Sequence, residues 1–348
     1  MKNIKKSLKI ATLLVCAYAS SAQALVIHFN YATGMDPTAL AGFQAAATRW
    51  TDILRDNVQV NLNIGFTALG AGILGSTGST KVTYSYDAYR NALAADAIGV
   101  YDQAAVAGLS KSSCLNVVMN GTGVNPAGVG SGALFLDNNC NANNNTIRPT
   151  LANARALGLT AAVDSRVDGS ISFSNLFTWD FNAADGVDAN AYDFVGVATH
   201  EIGHALGFIS GVDILDGNRA GNYSDAAFTY IAPTDLYRCS DVSKGAGADL
   251  DFSADTRTKY FSLDKCNTTL ATFSTGVAFG DGRQASHWKD NAGYGIMDPT
   301  AGKGEVMTIS ALDRKMFDVI GWNVPEPGSI ALFGLGLAAL FGMRKRNA

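Results

Sequence analysis

Apolar positions in this chain fall into short alternating runs and longer stretches at helical spacing, which together predict a mixed α+β fold. Val26 to Tyr31 reads as a strand. Asp36-Pro37-Thr38 then opens an amphipathic helix carrying Phe43, Ala47, Trp50 and Leu54, and Val58 to Phe66 alternates as a second strand. The Gly-rich stretch Leu69 to Thr80 has no lysine where a phosphate-binding loop needs one, so it reads as a loop or loose hairpin. Asp87 to Ala95 is helical by pattern. Asn138 to Asn145 is Asn-rich and reads as a solvated loop, without the ordered carboxylate spacing of a calcium loop. Ile171, Phe173, Phe177 and Trp179 alternate between Ile171 and Asp180, predicting a half-buried strand, either an edge for an extended peptide or a plain core strand. Near the end, Ser310 and Asp313 can cap a helix carrying Leu312, Met316, Phe317 and Ile320.

One helical stretch carries chemistry. Phe194, Val197, Ala198, Ile202 and Ala205 give an apolar face, with Asp188 or Asn190 as N-cap and Gly207 as the stop. Within it lies His200-Glu201-Ile202-Gly203-His204. Residues four apart on a helix are about 40° apart around the axis and roughly 6 Å along it, so both imidazoles can reach one ion. Glu201 flanks the pair, where a carboxylate can take a proton from water beside a Zn²⁺ ion, the machinery of metal-assisted amide hydrolysis. Acid usage sharpens the signal. Of 30 acidic residues only Glu201, Glu305 and Glu326 are glutamates, so the better helix-forming carboxylate is avoided yet kept beside two histidines. A catalytic zinc needs a third protein ligand; the candidates are Ser210, Asp213, Asp216 and His287. Of the four histidines, His28 sits in the first strand and reads as structural, which leaves His287 as the better donor.

Composition bounds the rest. With 348 residues, 47% hydrophobic and 16% charged, the chain can bury a large core as one domain or two lobes. Lys2, Lys5, Lys6 and Lys9 precede an apolar run and a small-x-small site at Ala22-Gln23-Ala24, so residues 1–24 read as a signal peptide. At the other end Val324-Pro325-Glu326-Pro327 is followed by the apolar run Gly328 to Met343 and then Arg344-Lys345-Arg346, a tail suited to membrane insertion with its basic end in the cytoplasm. Seven of the 26 basic residues and one of the 30 acidic ones lie in these two ends, leaving 19 against 29, or about −10, which argues against nucleic acid as a partner. Apart from Cys16, the four cysteines Cys114, Cys140, Cys239 and Cys266 imply two disulfides in an oxidising compartment. Three connectivities are open; the local pairs Cys114 with Cys140 and Cys239 with Cys266 close loops of similar size.

The C-terminal VPEP, apolar segment and RKR resemble the PEP-CTERM sorting signal of Gram-negative bacteria. That resemblance implies processing by an exosortase-type enzyme and delivery to the cell envelope or extracellular matrix, anchored or released at the tail. His200 to Phe208 (HEIGHALGF) resembles the metzincin signature His-Glu-x-x-His-x-x-Gly. The usual third-ligand position is Ser210, whereas His287-Trp288 followed by Gly295-Ile296-Met297-Asp298-Pro299 is similar to the leishmanolysin branch, where an insertion precedes the third histidine and the Met-turn. The resemblance implies a zinc endopeptidase acting on peptide or protein substrates, with His200, His204 and His287 as ligands, Glu201 as general base and Met297 beneath the metal. It also implies an N-terminal lobe of twisted sheet plus catalytic helix (25–208), an irregular C-terminal lobe with Met-turn and terminal helix (209–323), and a sorting tail (324–348). The competing expectation is a non-catalytic surface or matrix protein braced by zinc.

Overall fold

The computed structural model of the protein describes residues 25–218 and 223–325. The expected signal peptide and the membrane-inserting tail lie outside the described residues, and among the described residues no helix is long and apolar enough to cross a membrane. The fold is mixed α+β, with several small sheets. Its main elements are β1 (Val26–Asn30), α1 (Pro37–Thr51), β2 (Gln59–Thr67), β3 (Gly75–Ser79), β4 (Gly169–Ser174), α2 (Phe194–Leu206) and α3 (Ala311–Val319).

The largest sheet has the order β1-β2-β4-β3, with β1, β2 and β4 parallel and β3 antiparallel at the edge. Asp36 caps α1 by accepting the backbone N–H groups of Thr38 and Ala39, with Pro37 in the first turn. Helix α1 packs on α2 through a cluster of Phe43, Phe173 and Phe194, whose ring centroids lie 4.8–5.2 Å apart. Each such buried ring is worth about 1.5–3 kcal/mol of apolar burial. The helices approach so closely at Gly42 that a Cβ there would stand 2.4 Å from the Phe194 ring.

Four expectations are corrected. Leu69 to Thr80 is not merely a loop, because Gly75–Ser79 forms the edge strand β3. The strand over Ile171 to Asp180 ends at Ser174 and is interior, flanked by β2 and β3, so it offers no free edge. Trp179–Asp180 turns away and pairs with Tyr192–Asp193. That pairing keeps the chain extended up to Asp193, so Asp193, rather than Asp188 or Asn190, caps α2 through Gly196 N–H. The Asn-rich stretch is not wholly solvated: Ala142–Asn145 is a short helix in which Asn143 and Asn144 are buried.

The later part of the chain is built from short strands. Arg238–Cys239, Lys259–Phe261 and Ala271–Phe273 form an antiparallel sheet, and Leu250–Phe252 pairs in parallel with Val117–Met119 from the earlier part. The cysteines pair Cys114 with Cys140 and Cys239 with Cys266. Helix α3 is capped by Ser310 and Asp313 as its sequence predicts.

Candidate metal centre

Helix α2 is buried along nearly its whole length, so its backbone and polar side chains must find partners inside the protein. Trp50 Nε1 donates to the Thr199 carbonyl at 2.8 Å, and Trp322 Nε1 to the Leu206 carbonyl at 2.9 Å. Two indoles from distant parts of the chain thus fix the helix at both ends of its motif. Gly207 ends it with φ +130°, a conformation that favours glycine. Gly203 has no room for a side chain, because a Cβ there would meet Met297 Sδ at 2.7 Å and the Trp50 ring at 3.2 Å.

His200, His204 and His287 converge. Their Nε2 atoms are 3.0, 3.1 and 3.2 Å apart pairwise. Each Nδ1 faces a backbone carbonyl instead: Ile296 O at 2.7 Å for His200, Phe208 O at 2.7 Å for His204 and Gln284 O at 3.2 Å for His287. With Nδ1–H donating outward, all three Nε2 atoms present lone pairs, and three lone pairs cannot hydrogen-bond one another. A cation resolves that conflict. Three nitrogen donors about 2.05 Å from a tetrahedral zinc would be about 3.3 Å apart, so the donor set fits. Burial holds the His204 imidazole down at about 3, with His200 adding to the effect, and holds His287 well below its ordinary value, again with its neighbours adding. Both therefore stay in the neutral form that ligates metal. Among the described residues no other group of three or more His, Cys, Asp or Glu side chains converges in this way. His28 is exposed on β1 and outside the cluster.

The other candidate ligands are engaged elsewhere. Ser210 Oγ donates to Asp235 Oδ1 at 2.6 Å. Asp216 accepts the backbone N–H groups of Ala278 and Phe279. Asp213 accepts those of Ala285 and Ser286, next to His287. The buried Arg238 holds the same segment from the other side, donating to the carbonyls of Ala285 and Ser274, and pairs with Asp235 at 3.3 Å. Arg238 precedes Cys239, so the Cys239–Cys266 bridge fastens the strand that carries this clamp.

Met297 is fully buried against Gly203, in a turn closed by Asp298 N–H to Gly295 O at 3.2 Å. Buried Asp313 organises that turn. It accepts from Ile296 N–H at 2.8 Å, Met297 N–H at 3.4 Å and Trp288 Nε1 at 2.8 Å, so the cap of α3 also sets the residue whose carbonyl orients His200.

Glu201 lies beside the histidines, buried, with Oε2 accepting from Thr77 Oγ1 at 2.7 Å. Burial raises its carboxyl above the ordinary value, opposed by His200 and the Thr77 hydroxyl. Thr77 Oγ1 also lies 3.0 Å from the Glu201 carbonyl, and Ser79 Oγ donates to the His204 carbonyl at 3.1 Å. Edge strand β3 is thus laid on the motif by two hydroxyls. These contacts are absent from the sequence expectations because a Gly-rich run without apolar alternation carries little strand signal of its own.

Along β3 runs a cleft of about 790 Å³ that reaches all three histidines and Glu201. Its lining mixes apolar side chains, with Phe177, Tyr192, Val197 and Met307 around the early turns of α2, and polar ones such as Ser210, Arg283 and Gln284.

Residues 323–346 match the PEP-CTERM protein-sorting motif. The chain therefore carries the mark of an exported envelope protein handled by an exosortase-type sorting enzyme. No curated protein and no solved structure is a match for the chain. Just upstream of the motif's apolar segment, Asn323 is held to the folded body: its N–H and Nδ2 donate to Asp56 at 3.0 Å each, and its carbonyl accepts from Arg55 N–H.

Proposed function

We propose that the chain is an exported zinc endopeptidase with a metzincin-like site and a leishmanolysin-type distant third histidine. His200, His204 and His287 hold the ion, Glu201 is the general base, and Met297 packs beneath the ligand helix. The observation that carries this reading is the convergence of three Nε2 lone pairs next to a buried carboxylate, on the floor of a cleft bordered by a strand edge. Bound there, zinc supplies Lewis acidity toward a carbonyl oxygen and toward water. Glu201 takes a proton from the attacking water and returns it to the leaving amine, and Thr77 fixes the orientation of its carboxylate. Among the described residues β3 pairs on one side only, with β4, which leaves its outer edge to align an extended peptide. The apolar side chains around the early turns of α2 support a preference for a large apolar side chain there.

The sorting motif supports delivery to the cell surface or matrix, with the tail from residue 324 anchored in the membrane or cut free by the sorting enzyme. The reading is tested by metal analysis of the purified mature protein together with digestion of casein or gelatin. One zinc per chain and hydrolysis that a chelator stops and zinc restores are expected. A folded protein with one zinc and no hydrolysis of either substrate points instead to a metal-braced matrix protein.

A further inference from the structure

The sorting motif begins at one corner of the folded body, and that corner is apolar. Asn323 is the first residue of the motif, and besides its bonds to Asp56 and Arg55 its Nδ2 lies 3.5 Å from Asp96 Oδ1. Asp96 ends the helix Tyr86–Asp96, and Ile98 follows two residues later. Ile98 is 74% exposed, the most exposed large apolar side chain among the described residues, and Val100, which starts the helix Val100–Gly108, is 65% exposed. Their backbone is pinned: Asp102 Oδ2 accepts the N–H groups of Ile98 and Gly99 at 2.8 and 2.9 Å, and Gln103 Nε2 donates to the Ile98 carbonyl at 3.1 Å. The two side chains are therefore held in solvent by a fixed turn. Tyr101 comes next, with Lys315 Nζ 4.0 Å from its ring centroid, and both line an open apolar cavity of about 440 Å³ with Ala104, Ala107 and Leu270. Adjoining apolar exposure of this kind marks an interaction surface.

The length of the tether says what lies over it. The apolar run of the tail starts at Gly328, five residues after Asn323, and five residues span at most about 18 Å. The headgroup layer is about 5–8 Å thick on each side of the hydrocarbon core. A tail that enters the bilayer at Gly328 therefore keeps Asn323 within about 10–13 Å of the headgroup surface. Ile98 is no more than about 7 Å of chain from Asp96, which Asn323 touches. Charge suits the same neighbour. Arg55 is exposed beside the Asn323 carbonyl, and its guanidinium donates to the Thr51 and Asp52 carbonyls rather than to a carboxylate. With Lys315 it brings positive charge for lipid phosphates, while Asp56 is buried and Asp102 is taken up by the turn.

We propose that Ile98, Val100 and Tyr101 form a surface that rests on the lipid bilayer while the tail is in place, with Ile98 and Val100 at the boundary of headgroups and acyl chains. The inference goes beyond the peptidase reading and rests only on entry of the tail into a bilayer. A single anchor leaves the body free to swing; a second contact beside it is intramolecular and fixes which side faces the lipid. Without the tail the patch is too small for stable attachment, so cutting the tail releases the body.

The test uses the full mature chain in vesicles of phosphatidylcholine and phosphatidylglycerol, with Ile98→Cys carrying an environment-sensitive fluorophore. The four cysteines of the body are bridged, so the label reports one position. Val129→Cys, a position 69% exposed on a loop joined to Tyr223, is the control. At position 98 the emission should shift to the blue, be quenched by spin-labelled lipid and be shielded from aqueous iodide, at a depth of about 5–10 Å, while the label at 129 stays in water. Adding Val100→Asp, a favourable residue at a helix start, should return the label at 98 to water without lowering the melting temperature. A chain ending before Pro325 should lose most of the blue shift at the same lipid concentration. Vesicle-bound chain whose labels at 98 and 129 behave alike would overturn the surface and leave membrane entry of the tail standing, whereas a chain that fails to float with vesicles overturns both. A blue shift without quenching by spin-labelled lipid means that the tail or a second copy covers the patch, and this too overturns the proposal.

Discussion

Asp213→Ala separates a residue that holds the third ligand from one that is the ligand. Asp213 is half-buried and accepts the backbone N–H groups of Ala285 and Ser286, two and one residues before His287, and Arg238 holds the Ala285 carbonyl from the other side. Each bond to the charged carboxylate is worth about 1.5–3 kcal/mol, and its loss leaves two N–H groups unpaired. Only part of that reaches the metal, through misplacement of the His287 ring. Removing a group that orients a ligand lowers metal affinity about 10- to 100-fold. His287→Ala removes a donor outright. If the about 10–16 kcal/mol of a four-donor zinc site divides evenly, that loss is roughly 3–4 kcal/mol, or a few hundred-fold. Ser210→Ala breaks the bond to Asp235 and the one from Val212 N–H, neither of which touches a histidine, and should leave zinc affinity unchanged. Competition with a chromophoric chelator ranks the three variants, with melting temperature as a control for folding. If Asp213→Ala strips the metal and His287→Ala retains it, the ligand set is wrong.

Other consequences can be measured on the same protein. Gly203→Ala forces a methyl into Met297 Sδ and the Trp50 ring and should cost about 1–3 kcal/mol in denaturant unfolding, with zinc affinity falling as well; a variant as stable as wild type would show that the contact relaxes freely. Burial raises the Asp56 carboxyl to about 6, opposed by its bonds to Asn323. Its folded value exceeds the unfolded one, so its contribution to stability is full below about pH 4 and is lost as pH rises through about 6, by at most about 3 kcal/mol. The stability difference between wild type and Asp56→Asn should therefore shrink over that range, and a difference independent of pH would contradict the assignment. Ending the chain before Pro325 should give soluble, active protein. Ending it before Asn323 should lower the melting temperature, because the bonds to Asp56 and Arg55 are lost.

What the sequence made legible is what local chemistry dictates. The caps at Asp36, Ser310 and Gly207 and the spacing of His200 and His204 each depend on neighbours in the chain, and the fold contains them; which cysteines pair was open among three connectivities, and the fold takes the local one. His287 could be proposed from histidine scarcity and its Trp288 neighbour; its convergence with α2 depends on Asp213 and Arg238, which no local pattern announces. β3 was missed because its order comes from pairing with β4 and from hydroxyls bound to α2, not from the propensity of Gly75-Ser76-Thr77-Gly78-Ser79. The start of α2 was misplaced because the pairing of Tyr192–Asp193 with Trp179–Asp180, a tertiary contact, decides which aspartate is the cap. Asn143 and Asn144 are buried against the usual habit of asparagine because Asp137 and the Leu115 carbonyl receive their amides.

The central claim is that Glu201 works as a base beside a metal held by the three histidines, and Glu201→Gln tests it most directly. Glutamine keeps the size and the contact with Thr77 but cannot take a proton. Zinc content and peptide hydrolysis should be measured on the same preparation of wild type and variant. The account predicts one zinc per chain in both, with hydrolysis in the variant reduced by about 10²–10⁴-fold. Hydrolysis by the variant at the wild-type rate, with zinc still bound, would contradict it.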